Sequence, residues 1–135
     1  MTMKKMYVGC ALVMAPAEFV ESIVRLKEEL SREYEVLEFL GFAKGTNQEV
    51  YEHDIACVKA CDLFLAECTY PSTGLGFELG TAVAFNKPII AIAEPEAKIS
   101  RLVLGIAHPQ FSFHRYQSTA EVLDIIRQKI SVMVH

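Results

Sequence analysis

The sequence predicts an α/β fold in three layers: a five-stranded, mainly parallel sheet with helices on both faces. The first observation behind this reading is alternation. Short apolar runs of β type take turns with stretches of helical spacing, and that order implies right-handed crossovers joining parallel strands. The second is length: 135 residues suffice for one core and leave none for another, so residues 1–135 read as a single domain. The third is composition, because 52% hydrophobic and 22% charged residues can bury such a core.

Each element has its own signal. Met6 to Leu12 (MYVGCAL) reads as a buried first strand. Pro16 suits the start of a helix, since its fixed φ fits the first turn and its missing N–H is not needed there. Beyond it Phe19, Ile23, Leu26 and Leu30 keep helical spacing and leave Glu18, Glu21, Lys27 and Glu28 for solvent. Glu35 to Phe39 gives a second strand, Gly41 to Gly45 a turn, and Asn47 a cap for a helix running to about Cys61. Leu63 to Ala66 is a third strand closed by Glu67, and Pro71, Ser72 and Gly74 break regularity in the loop Cys68 to Gly74. A helix from about Leu75 to Phe85 and a fourth strand from Pro88 to Ala93 follow. Ser100 to Ile106 reads as a short helix and Phe111 to His114 as a fifth strand. Thr119 to Val132 closes the chain as an amphipathic helix, with Val122, Ile125, Ile126 and Ile130 on one side.

Charge and composition exclude several functions. A net charge of -4 argues against binding a nucleic-acid polymer, which needs clustered Lys and Arg, but not against one nucleotide in a pocket. The apolar stretch Met6 to Ala17 contains Gly9 and Pro16 and runs straight into Glu18, which makes a poor signal peptide. No uninterrupted apolar window of about 18 residues predicts a membrane span. Cys10, Cys57, Cys61 and Cys68 form no CxxC pair, and His53, His108, His114 and His135 show no ligand spacing. Free thiols in a reducing cytoplasm, with no metal, are therefore expected.

In parallel sheets of this kind ligands bind beyond the carboxyl ends of the strands, where the winding reverses. With strand order 2-1-3-4-5 that point lies between the first and third strands, so the loop after Leu12 faces the loop Cys68 to Gly74. The stretch Pro71-Ser72-Thr73-Gly74-Leu75-Gly76-Phe77-Glu78-Leu79-Gly80 opens the next helix there. Gly74 and Gly76 permit close backbone approach, and the helix start offers free N–H groups. The same glycines also fit a plain strand-to-helix turn, for the stretch is neither GxGxxG nor a P-loop. Glu78 is what points to chemistry. A carboxylate in the first helical turn is held ionised by the helix end, and its small, apolar neighbours suit a pocket wall. An ionised carboxylate at a dry site is the nucleophile that attack on a sugar carbon requires. Of the acids that could accompany it, Glu52, Asp62 and Glu67 can each be surface charges. Asp54 stands beside Ile55 at the border of a buried face, where a carboxylate needs a partner or a function.

Together these residues carry a resemblance. Tyr51-Glu52-His53-Asp54-Ile55, Ala60-Cys61-Asp62, the run Ala66 to Gly80 and Ala82-Val83-Ala84-Phe85-Asn86-Lys87-Pro88 resemble the nucleoside 2-deoxyribosyltransferase superfamily, and within it the 2'-deoxynucleoside 5'-phosphate N-hydrolase branch. The match is strong from Tyr51 to Pro88 and loose elsewhere. The resemblance implies a flavodoxin-like, cofactor-free homodimer whose glutamate attacks the anomeric carbon and forms a covalent deoxyribosyl-enzyme. It makes Glu78 that nucleophile, Asp54 the acid that helps the base depart, and Tyr7 a contact to the nucleophile that crowds the 2' position. It makes Ser72 the 5'-phosphate ligand, beside Gly74 and Gly76, and Ser100 a residue reaching the partner subunit's site. Transferases acting on unphosphorylated nucleosides resemble the same loop but carry Asp at the position of Ser72; a hydroxyl can donate to a phosphate that a carboxylate repels. A serine there also fits a plain helix cap. The first loop, Cys10 to Pro16, departs from the branch in having neither a hydroxyl nor a cation, with Lys44, Lys98 and Arg101 as substitutes.

Three functions follow. The first is hydrolysis of 2'-deoxynucleoside 5'-monophosphates to free base and deoxyribose 5-phosphate. The second is base exchange between deoxynucleosides, and the third is nucleotide binding without turnover.

Overall fold

A computed structural model of the chain describes residues 4–39 and 45–133. Ten elements alternate: β1 (Lys5–Cys10), α1 (Ala17–Leu30), β2 (Glu35–Leu37), α2 (Asn47–Ala60), β3 (Leu63–Glu67), α3 (Thr73–Ala84), β4 (Ile89–Ala93), α4 (Arg101–Leu104), β5 (Phe111–Arg115) and α5 (Thr119–Met133). The five strands form one sheet in the order β2-β1-β3-β4-β5, and every pairing is parallel. The sequence-based expectation of fold and strand order therefore holds.

Burial explains why β1, β3 and β4 read as unbroken apolar runs. Each is a central strand covered on both faces, so both sets of alternating side chains must be apolar. The faces feed two cores. Met6, Val8 and Cys10 pack with Phe19, Ile23, Leu26 and Leu30 of α1 and with Val122 and Ile126 of α5. Tyr7, Phe64 and Ala66 point the other way, to Val58 of α2 and to Leu75 and Leu79 of α3. The period of two along β1 thus aims Tyr7 at the α2/α3 side.

Several boundaries differ from the expectation. The first strand ends at Cys10 and the second at Leu37, while α4 covers only Arg101–Leu104 with Ser100 as its cap. Thr46, not Asn47, caps α2: its hydroxyl accepts the Glu49 N–H, and the Glu49 carboxylate accepts the Thr46 N–H. This reciprocal box satisfies two otherwise free donors. Of the expected turn Gly41 to Gly45, residues 41–44 lie outside the described residues; Gly45 has a φ of 78°, a left-handed conformation that favours glycine. Lys27 was expected in solvent, yet it is only 7% exposed. Its stem lies along α1 while its ammonium reaches Glu38 Oε2 at 3.3 Å and stands 3.7 Å from the Phe39 ring centroid.

Candidate active site

The loop after β1 and the loop after β3 face each other, as the strand order requires, across a cleft between Leu12–Met14 and Pro71–Gly74. Beside it a cavity of about 370 Å³ opens between the starts of α2 and α3. Tyr7 and Gly9 form its floor, Asp54 projects from α2, and Ser72, Gly74 and Glu78 come from the α3 side. Along α2 the lining residues pass from exposed Asn47 to half-buried Val50 and Asp54, and along α3 from exposed Gly74 to half-buried Glu78.

Glu78 is anchored from below. The Tyr7 hydroxyl donates to Glu78 Oε2 at 2.6 Å, with the tyrosine only 1% exposed and its ring 5.7 Å from that of Phe64. The other oxygen, Oε1, lies over Gly9, where an added Cβ would stand 2.9 Å from it and 2.8 Å from Phe64 Cε1. Only a glycine lets the carboxylate settle so close to the strand. Burial pushes the Glu78 carboxyl up to about 7; the bond from Tyr7 opposes this, Asp54 adds to it and Lys27 opposes it. The same burial, with the Glu78 charge beside it, drives the Tyr7 phenol far above its ordinary range, so this tyrosine remains a donor.

Two expectations about Glu78 need correction. Because α3 begins at Thr73 rather than Leu75, Glu78 is the sixth helical residue and stands beyond the first turn. The field of the helix end falls off within that turn. The carboxyl is accordingly not held ionised but is poised near neutral pH by burial, with Tyr7 as its main counterweight.

The structure brings Tyr7, Asp54, Ser72, Gly74 and Glu78 onto one cavity. It does not bring Gly76 or Ser100 there. Gly76 is exposed, with open space where a side chain would be, and the exposed Ser100 caps α4 through the Leu102 N–H. Ser72 caps α3, its hydroxyl accepting the Leu75 N–H at 3.1 Å, so it acts as a helix cap and a cavity residue at once. Gly9, Phe39 and Asn47 line the cavity without having been singled out from sequence. The MYVGC pattern does hold a signal for Gly9, a glycine inside a buried strand, which marks a close approach.

Glu67, which the sequence left open as a surface charge, is fully buried on the other side of the sheet. It accepts bonds from the Thr69 N–H at 2.6 Å, the Thr69 hydroxyl at 2.7 Å and the Tyr116 hydroxyl. Among the described residues no group of three or more His, Cys, Asp or Glu side chains could hold a metal ion. No helix among them is long and apolar enough to cross a membrane.

Known proteins share this fold. Residues 12–128 match the family model described as nucleoside 2-deoxyribosyltransferase. The mouse 5-hydroxymethyl-dUMP N-hydrolase is 34% identical over 95 residues, which are 69% of this chain and 50% of that protein. The zebrafish (Danio rerio) protein of the same name is 33% identical over 98 residues, 70% of this chain and 68% of that one. The chain thus spans about half the length of the mouse relative. Among solved structures, BlsM superimposes with a TM-score of 0.80 at 20% identity, covering 98% of this chain and 95% of its own. The Clostridium botulinum CMP N-glycosidase BcmB does so with a TM-score of 0.64 at 22% identity, covering 92% and 99%. A model match over most of the chain, together with this shared fold, shows that the chain belongs to the nucleoside 2-deoxyribosyltransferase family.

Proposed function

We propose that the protein hydrolyses the N-glycosidic bond of 2'-deoxynucleoside 5'-monophosphates through a covalent glutamyl-deoxyribosyl intermediate. The observation that carries this reading is the half-buried Glu78 carboxylate, tied to Tyr7 and facing the same cavity as Asp54. With Oε2 occupied by the Tyr7 hydroxyl, Oε1 over Gly9 is the oxygen left to attack. It forms a bond to the anomeric carbon as the carbon–nitrogen bond breaks, and Asp54 supplies the proton that the departing base takes up. A water then displaces the sugar from Glu78, giving its proton to Asp54 and restoring both carboxyls. Lacking an electron-withdrawing 2'-hydroxyl, the deoxyribosyl cation-like transition state forms more easily than the ribosyl one.

The α3 side of the cavity supports a 5'-phosphate. From Glu78 back to Ser72 the helix rises about 9 Å, room for a sugar and its 5' substituent. Ser72 uses an oxygen lone pair on Leu75, which leaves its O–H to donate, and the free first-turn N–H groups beside Gly74 favour an anion. The mouse and zebrafish relatives are named for a 5'-monophosphate substrate, which points the same way. One observation favours the second reading, base exchange between unphosphorylated deoxynucleosides. The described residues lining the cavity include Leu12 and Val13 but neither Lys nor Arg; Lys98 and Arg101 lie elsewhere, and Lys44 is outside the described residues.

The reading includes a homodimer in which the Ser100 region reaches the partner's site. Ser100 lies away from its own cavity and next to Leu102, an apolar side chain 84% exposed. It also places the enzyme in a reducing, cytoplasmic compartment, where Cys10, Cys57, Cys61 and Cys68 stay free.

The test is release of free base from deoxynucleoside monophosphates and from the matching nucleosides, with and without a second base. Hydrolysis of the monophosphates, lost in Glu78→Gln, is the expected result. Turnover only with an acceptor base, and without benefit from the phosphate, selects the exchange reading. An inactive wild type across all of these substrates overturns both.

A further inference from the structure

One face of α2 extends the site beyond Asp54, the only residue of that helix that the chemistry at Glu78 uses. Asp54, Val50 and Asn47 stand four and three residues apart, so they form one stripe, and all three line the cavity. The stripe runs from the reacting centre outward. Asn47 is the first residue of the helix and Asp54 the eighth, which separates them by about 10 Å along the axis. That is the length of a purine ring plus one hydrogen bond. Phe39 lines the same cavity and is held in place by the Lys27 ammonium 3.7 Å from its ring centroid. Val50 and Phe39 thus offer apolar surface to a flat ring, and Asn47 offers one N–H₂ donor and one carbonyl acceptor beyond its end. Thr46 performs the capping of α2, so the Asn47 amide is not spent on the helix.

We infer that Asn47 reads the nucleobase. The base lies along the α2 stripe with its glycosidic nitrogen at Asp54, its face against Val50 and Phe39, and its far edge at the Asn47 amide. This rests on the proposed reading, in which the anomeric carbon sits at Glu78 and the 5' substituent runs along α3. The two helices then divide the substrate between them: α3 takes the phosphate arm and α2 the base arm. An amide pairs with adenine or cytosine, which present a donor beside an acceptor, and after rotation with guanine or thymine. A carboxylate at the same place only accepts. It therefore selects guanine, whose edge carries two adjacent N–H donors, and rejects thymine, whose carbonyls face it.

The experiment measures equilibrium binding and base release for the four deoxynucleoside monophosphates in wild type, Asn47→Asp and Asn47→Leu. Asn47→Asp preserves the fold, because an acidic residue at a helix start is favourable. The expected result is a reordering in Asn47→Asp, with guanine improved relative to thymine by roughly 10- to 100-fold. Asn47→Leu is expected to weaken all four and flatten their differences. An unchanged order of bases in both variants, in binding as well as in turnover, overturns the inference, as does a wild type that binds none of the four. If binding is reordered while no variant and no wild type releases base, the inference stands and the hydrolytic reading fails.

Discussion

At the scale of single residues, the site is a balance of forces on one carboxyl. Burial raises Glu78 to about 7, and the hydroxyl of Tyr7 is the largest influence pulling it down. In the proposed mechanism nucleophilic attack needs the carboxylate, so base release is expected to rise as pH increases through this value. Replacing Tyr7 by Phe removes the stabilising donor, and the acid limb of the kcat/KM profile is expected to move upward by roughly one pH unit. A limb that stays in place would remove Tyr7 from this role. Gly9 is the second test at this scale. In Gly9→Ala the new methyl meets the fully buried Phe64 ring and the Glu78 carboxylate, both closer than 3.0 Å. A loss of about 1–3 kcal/mol in urea denaturation is expected, with base release largely abolished. The family resemblance made Glu78, Asp54 and Ser72 legible as candidates because the motifs that carry it are local. For Gly9 the sequence signals only a close approach within a buried strand, since what approaches it is a carboxylate about seventy residues later.

At the scale of elements, the apolar runs of β1, β3 and β4 and the spacing of α1 and α5 were readable in the chain, and so was the crevice between the first and third loops. What escaped was fixed by long-range contacts. Lys27 read as a solvent residue because its position on α1 says nothing of Glu38 and Phe39, which come to it from the end of β2. Glu67 read as a candidate surface charge because its three donors arrive from Thr69 and, across the sheet edge, from Tyr116. Thr69 also accepts the Glu94 N–H, so the network ties together the carboxyl ends of β3, β4 and β5. Tyr116→Phe removes one donor from a buried acid whose desolvation already pushes its carboxyl up. A destabilisation of about 1–3 kcal/mol is expected by denaturant titration, with base release at Glu78 retained. Unchanged stability would show that this network does not hold the strand ends.

At the scale of the whole molecule, the cavity holds a carboxyl whose burial weakens folding as pH rises. The folded Glu78 carboxyl titrates at about 7, above its ordinary 4.5. Between these values the folded protein keeps a proton that the unfolded chain has released, so this group's contribution falls as pH rises from about 4.5 to about 7. Glu78→Gln keeps an acceptor for Tyr7 but carries no charge. It is expected to melt at a higher temperature than wild type at pH 8, with the gain vanishing near pH 4. An equal difference at both pH values would show that the buried charge is not the cause. The most direct measurement is the intact mass of the enzyme quenched during turnover of a deoxynucleoside monophosphate. The expected result is an adduct of deoxyribose phosphate, mapped by proteolysis to the peptide bearing Glu78 and absent in Glu78→Gln. Base release at an undiminished rate in Glu78→Gln, or an adduct on another residue, would contradict it.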